Sequence, residues 1–102
     1  MTQQAIAGDG FSYDEAKAPE AFRLLLQAHP AHESTITSCM WMGSETMADG
    51  SILHHFKHSD TRNRFTFRPA TGGGIAGTVI GRNETGEETA DADAVLGALE
   101  RL

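Results

Sequence analysis

At 102 residues the chain has the length of one domain, which removes only about two thirds of its unfolded surface from water. Its 39% hydrophobic and 22% charged residues exclude both a wholly disordered chain and a membrane-embedded one. The formal charge of −6 argues against a protein that mainly grips nucleic acid through phosphates.

No apolar run approaches the roughly 20 residues that cross a bilayer. The opening MTQQAIAGDG has neither the basic start nor the apolar stretch of a signal peptide. Cys39 is the single cysteine, so no internal disulfide is expected, and the chain reads as cytoplasmic and without membrane contact.

Residues 1–11 are small, polar and glycine-containing and read as a flexible terminus, with one α+β domain over 12–102. Ser12 and Glu15 have capping-box spacing, but Pro19 disfavours helix at Ala18, so the first helix is predicted to start at Pro19. Phe22, Leu25, Leu26 and His29 then recur at helical spacing, with Leu24 widening the stripe, and Pro30 ends it. The β-branched and aromatic run TITSCMWM predicts a first strand over about 35–47.

Asp49-Gly50 supplies two residues that tolerate positive φ and predicts a two-residue hairpin turn. That register sets Met47 opposite Ile52, Glu45 opposite His54 and Trp41 opposite His58. Alternation then gives a core face of Trp41, Glu45, Met47, Ile52, His54, Phe56 and His58, and an outer face of Met40, Met42, Thr46, Leu53, His55 and Lys57.

RFTFR predicts a third strand with Phe65 and Phe67 inward and Arg64, Thr66 and Arg68 outward. After a loose loop, Thr78–Ile80 makes a short fourth strand, and GRNETGEET reads as turn. Ala92, Val95, Leu96, Leu99 and Leu102 predict a closing amphipathic helix with acidic residues near its start. The expected fold is α+β, a four-stranded antiparallel meander in the order α-β-β-β-β-α, with both helices on one sheet face.

The segment HHFKHSD is the single histidine cluster with metal-ligand character. On a helix His54 and His58 share a face and can chelate, whereas on a strand they stand roughly 13 Å apart, too far for one ion. The strand reading leaves no metal site and directs attention to pH, because protonating the five histidines removes most of the net negative charge. Partner binding or self-association is then expected to change between about pH 7.5 and 5.5.

GGGIAG over 72–77 matches the letters of a dinucleotide fingerprint, but the β-branched and turn-forming residues after it are the wrong context. Cys39 has no histidine at a spacing that implies pairing, and no nucleophile elbow or carboxylate pair marks an active site. No enzyme, cofactor or metal is therefore expected.

What remains is a net-positive stretch, with Lys57, Arg62, Arg64 and Arg68 set against Asp60, on an acidic chain. A non-enzymatic interaction protein, monomeric or homodimeric, is expected to hold a protein partner on its outer sheet face or edge. Met40, Met42, His55, Lys57, Arg62, Arg64 and Arg68 are the contact residues. By size and charge alone it is associated with regulators and inhibitors from mobile elements. The alternatives are a nucleic-acid-binding module on the basic hairpin 54–68 and a metal- or small-ligand-binding protein on the histidine cluster.

Overall fold

The computed structural model of the chain describes residues 11–70 and 77–101. The flexible terminus expected before Phe11 and most of the glycine loop lie outside these residues. In chain order the elements are β1 (Phe11–Ser12), a 3-10 turn (Glu15–Lys17), α1 (Ala18–Ala28), a second 3-10 turn (Pro30–His32) and α2 (Glu33–Thr37). There follow β2 (Cys39–Thr46), β3 (Ile52–His58), β4 (Arg64–Pro69), β5 (Gly77–Arg82), β6 (Glu88–Thr89) and α3 (Ala92–Ala98). The strands form one six-stranded sheet in sequential order, each antiparallel to its neighbour.

The α+β class and the antiparallel meander therefore stand, but with six strands and three helices among the described residues rather than four strands and two helices. Phe11, assigned above to the flexible terminus, pairs with Glu45 as part of β1. The stretch after Ile80 contains the end of β5 and all of β6, with a turn only at residues 84–86.

α1 begins at Ala18, one residue before the proline, because the preceding 3-10 turn is already helical and Pro19 sits in the first turn, where no amide hydrogen is required. Asp14 provides the cap for that turn, accepting from the Ala16 amide at 3.1 Å. Ala21 and Leu25 are buried by α1, with Phe22, Leu24 and Leu26 packed against them. The expected strand over Thr35–Thr37 is instead helix α2. Its hydroxyls satisfy backbone carbonyls locally, Thr37 and Ser38 both bonding to Ser34 O, while Ile36 is fully buried in the core. Burying Ile36 outweighs the β preference of a threonine-rich run.

The β2–β3 turn holds three residues rather than two. Met47 N donates to Ser51 O, Gly50 N donates to Met47 O, and Gly50 takes φ +89°. The register becomes Glu45↔Leu53 and Ser44↔His54. A bulge between Trp41 and Ser44, with Gly43 at φ +112°, then shifts it again to Trp41↔Phe56 and Cys39↔His58.

Two faces change as a result. Ser44, 1% exposed, takes the inward position assigned to Glu45, and Met47 and Ile52 are 42% and 38% exposed rather than core. Trp41, His54, Phe56 and His58 remain inside as expected.

All three helices cover the face carrying Trp41, Phe56, Phe65, Phe67 and Val79. Phe56 stacks on Phe65 at 5.1 Å and meets Phe22 edge-on at 5.1 Å. Rings of this kind, when fully buried, contribute about 1.5–3 kcal/mol each. α3 is seated by Gly81, where a Cβ would stand 2.7 Å from Val95 Cγ1. Asp91 caps the start of α3, and the β3–β4 loop holds its end, since Thr61 Oγ1 and Asn63 Nδ2 both donate to Leu99 O.

Candidate binding face

With every helix on one side, the opposite sheet face has no helix over it among the described residues. Strand alternation and register place Met40, Met42 and Glu45 of β2 there, with Leu53, His55 and Lys57 of β3. Arg64, Thr66 and Arg68 of β4 and Thr78, Ile80 and Arg82 of β5 complete the array. A groove of about 860 Å³ is lined by residues of this face and by the end of α3. Its lining includes Phe11, Met42, His55, Thr66, Ile80 and Glu88, so that every strand contributes at least one residue. It continues past the last β4–β5 pair, Thr66↔Ile80, into the gap beside Arg62 and Arg101.

His55 organises the centre of the face. Its Nε2 lies 2.8 Å from Glu45 Oε1 and its Nδ1 lies 3.0 Å from Thr66 Oγ1. A carboxylate only accepts, so Nε2 carries the hydrogen and Nδ1 of the neutral ring accepts from the threonine hydroxyl. This ties β2, β3 and β4 together across the groove floor and leaves the ring half-buried.

The cations around it are less well partnered. Lys57 and Arg64 stand directly across from each other on β3 and β4, and neither has an ion-pair partner among the described residues. Like charges in that relation repel. Arg68 lies near Asp49, whose carboxyl is held below its ordinary range by hydrogen bonds from the Ser51 hydroxyl and amide, with a smaller contribution from Arg68.

Of the residues singled out in the sequence, Met40, Met42, His55, Lys57, Arg64 and Arg68 come together on this one face. Arg62 does not lie on the sheet. It sits in the β3–β4 loop at φ +67° and reaches the groove from its end. Sequence reasoning missed Glu45, which the bulge turns outward, as well as Ile80, Arg82 and Glu88. Ile80 and Arg82 were legible in principle, because Thr78, Ile80 and Arg82 share one parity once the fourth strand runs to Arg82.

The remaining candidate chemistry lies on the buried side. Trp41 Nε1 donates to His54 Nδ1 at 3.1 Å, and burial, with Lys17 and His55 nearby, pushes the His54 pKa down. His58 Nδ1 accepts from the Asp60 and Thr61 amides, and its Nε2 lies 3.7 Å from Glu100. Both imidazoles thus spend a ring nitrogen on protein donors, and no group of three or more His, Cys, Asp or Glu with metal-binding geometry occurs among the described residues.

Cys39 stands directly across from His58, a juxtaposition that sequence spacing did not reveal. Its thiol donates to Thr35 O and is pushed up to about 11 by burial and then by Glu100, which keeps it protonated at neutral pH. No helix among the described residues is long and apolar enough to cross a membrane. Comparison of the chain with protein-family models, with curated proteins and with solved structures finds no match.

Proposed function

We propose that this chain is a small non-enzymatic interaction protein whose open sheet face holds an acidic segment of a protein partner, in the manner of a regulator or inhibitor. The observation that carries the reading is the cross-strand pair Lys57↔Arg64, two like charges on one open face without a counter-ion among the described residues, in a chain of net charge −6. Such a pair costs stability in isolation and is relieved by an anionic partner. Beside it run Met40, Met42, Leu53 and Ile80, with Met40 and Ile80 each 41% exposed, so the segment that fits carries apolar side chains between its carboxylates.

A nucleic-acid reading is less well supported, because Phe65 and Phe67, the rings nearest the arginines in sequence, are 3% and 0% exposed on the other face. They offer bases nothing to stack on.

The test places a photo-cross-linkable residue at Met42 or Ile80, with Gln27 on α1 as the helical-side control, in the native host. Expected is an acid-rich protein captured from the sheet-face positions and not from Gln27, with about tenfold weaker binding once Lys57→Glu and Arg64→Glu are combined. Capture of nuclease-sensitive material, of the chain's own peptides alone, or of the same proteins from Gln27 overturns the reading.

A further inference from the structure

Among the described residues, the turns that join β2 to β3, β3 to β4 and β5 to β6 each contain a residue of positive φ: Gly50 at +89°, Arg62 at +67° and Gly86 at +83°. Two of them use glycine, which adopts this conformation without a steric penalty, and the third uses arginine, which does not. Nothing in the turn itself requires the side chain. Arg62 N donates to His58 O, a backbone bond that glycine forms as well, and the guanidinium has no hydrogen-bond or ion-pair partner among the described residues. Strain at a position where a cheaper residue serves the backbone equally well points to a use for the side chain.

That side chain lines the end of the groove, where β4 and β5 part company. Arg64, Arg82 and Arg101 line the same cleft, together with Glu84 and Glu88. Four arginines against two glutamates leave the cleft two positive charges in excess on a chain that is strongly negative overall. Two of the four are already oriented: Arg82 Nη1 donates to Gly86 O at 2.7 Å, and Arg101 Nη2 lies 3.3 Å from Glu84. Arg64 and Arg62 have no ion-pair partner among the described residues.

We infer that this cleft is a binding site for a phosphate dianion, as the free ion or as a small phosphomonoester. One carboxylate is saturated by a single guanidinium fork, whereas a tetrahedral dianion presents enough acceptor oxygens for several and matches the excess charge. The site goes beyond the partner-binding face: it shares Arg64 with that face, but it depends on Arg62 and on the loop ends rather than on the apolar row.

The test is a titration of the isotopically labelled chain with inorganic phosphate, O-phosphoserine and acetate at constant ionic strength and about pH 7.5, followed by nuclear magnetic resonance. Phosphate is expected to shift the signals of residues 62–64, 82–84 and 101 saturably, and acetate is not. Tighter binding of O-phosphoserine than of inorganic phosphate assigns the site to an ester, and the reverse assigns it to the free ion. Arg62→Gly relieves the strained backbone, so it is expected to keep the melting temperature while weakening phosphate binding about tenfold. Glu84→Gln removes a competing charge and frees Arg101, and is expected to tighten binding roughly threefold. Equal shifts with acetate and phosphate, unchanged phosphate affinity in Arg62→Gly, or weaker binding in Glu84→Gln each overturn the assignment.

Discussion

The indole of Trp41 decides what His54 is allowed to be. Trp41 Nε1 is a donor only, so the ring nitrogen 3.1 Å away must stay unprotonated to accept from it. Burial acts in the same direction and lowers the His54 pKa, and it lowers that of His29 as well, there with some help from His32. A histidine whose folded pKa lies below its unfolded value takes up protons more readily when unfolded. The stability it supports is complete above about pH 6.5 and declines as the pH falls through the window beneath it. Urea unfolding is therefore expected to give a lower midpoint at about pH 5.5 than at pH 7.5, and His54→Gln, which still accepts from Trp41 without titrating, is expected to flatten that difference. An equal fall in both proteins shows that the effect lies elsewhere.

At Gly43 the constraint is steric. A Cβ built there would lie 2.6 Å from the Phe11 ring, and φ is +112°. Gly43→Ala is expected to cost about 1–3 kcal/mol in urea unfolding and to increase amide exchange in β1. Phe11→Ala in the same chain should recover part of that loss, because it removes the ring clash and leaves the backbone strain and the close approach to Ser12 O at 3.2 Å.

Elements were legible where one periodicity dominates and where a cap or breaker agrees with it. α1 shows the apolar stripe of Phe22, Leu25 and Leu26, with Pro19 at its head and Pro30 past its end, and RFTFR alternates cleanly. α2 fails the same reading because five residues, Glu33–Thr37, are too few to show a helical period, and three of them, Thr35, Ile36 and Thr37, are β-branched, which favours strand. β1 and β6, at two residues each, carry no pattern of their own and exist because a neighbouring strand offers them hydrogen bonds.

α3 depends on contacts that sequence does not display. Its carbonyl end is held by Asn63 Nδ2, which donates to both Leu99 O and Arg101 O at 2.7 Å. Asn63→Ala is expected to cost about 1–3 kcal/mol, since it strips a partner from a half-buried helix end, and to raise exchange at Leu99 to Arg101 before the sheet opens. Gly81→Val, whose side chain would drive into Val95 and Phe65, is expected to cost about 1–3 kcal/mol or more by lifting α3 off the sheet. If circular dichroism and unfolding are unaffected in both variants, α3 is docked by other means.

Across the whole molecule the charges are segregated. The open sheet face holds Lys57, Arg64, Arg68 and Arg82 with Glu45 and Glu88, while the helices and the C-terminal segment carry Glu15, Glu20, Glu33, Asp91, Asp93 and Glu100 against Lys17, Arg23 and Arg101. Opposite faces of opposite sign steer an acidic partner to one side and repel it from the other. Association at the sheet face should accordingly slow as salt is raised, with the dissociation rate much less affected. A salt-insensitive association rate places the contact on another surface.

Composition and periodicity were enough to determine the α+β class, the antiparallel meander, the helices on one side and the inward rings of Phe56, Phe65 and Phe67. They also placed six of the seven proposed contact residues, Met40, Met42, His55, Lys57, Arg64 and Arg68, on one face. These features follow from local rules, since side-chain alternation and helical stripes are properties of a single segment. The registers, the outward turn of Glu45, the Cys39–His58 juxtaposition and the arginine-lined end of the groove were decided only in three dimensions. One bulge at Gly43 and one additional residue in the Asp49-Gly50 turn shift every β2–β3 partner, and their cost or benefit is set by what the neighbouring strand and helix place opposite them.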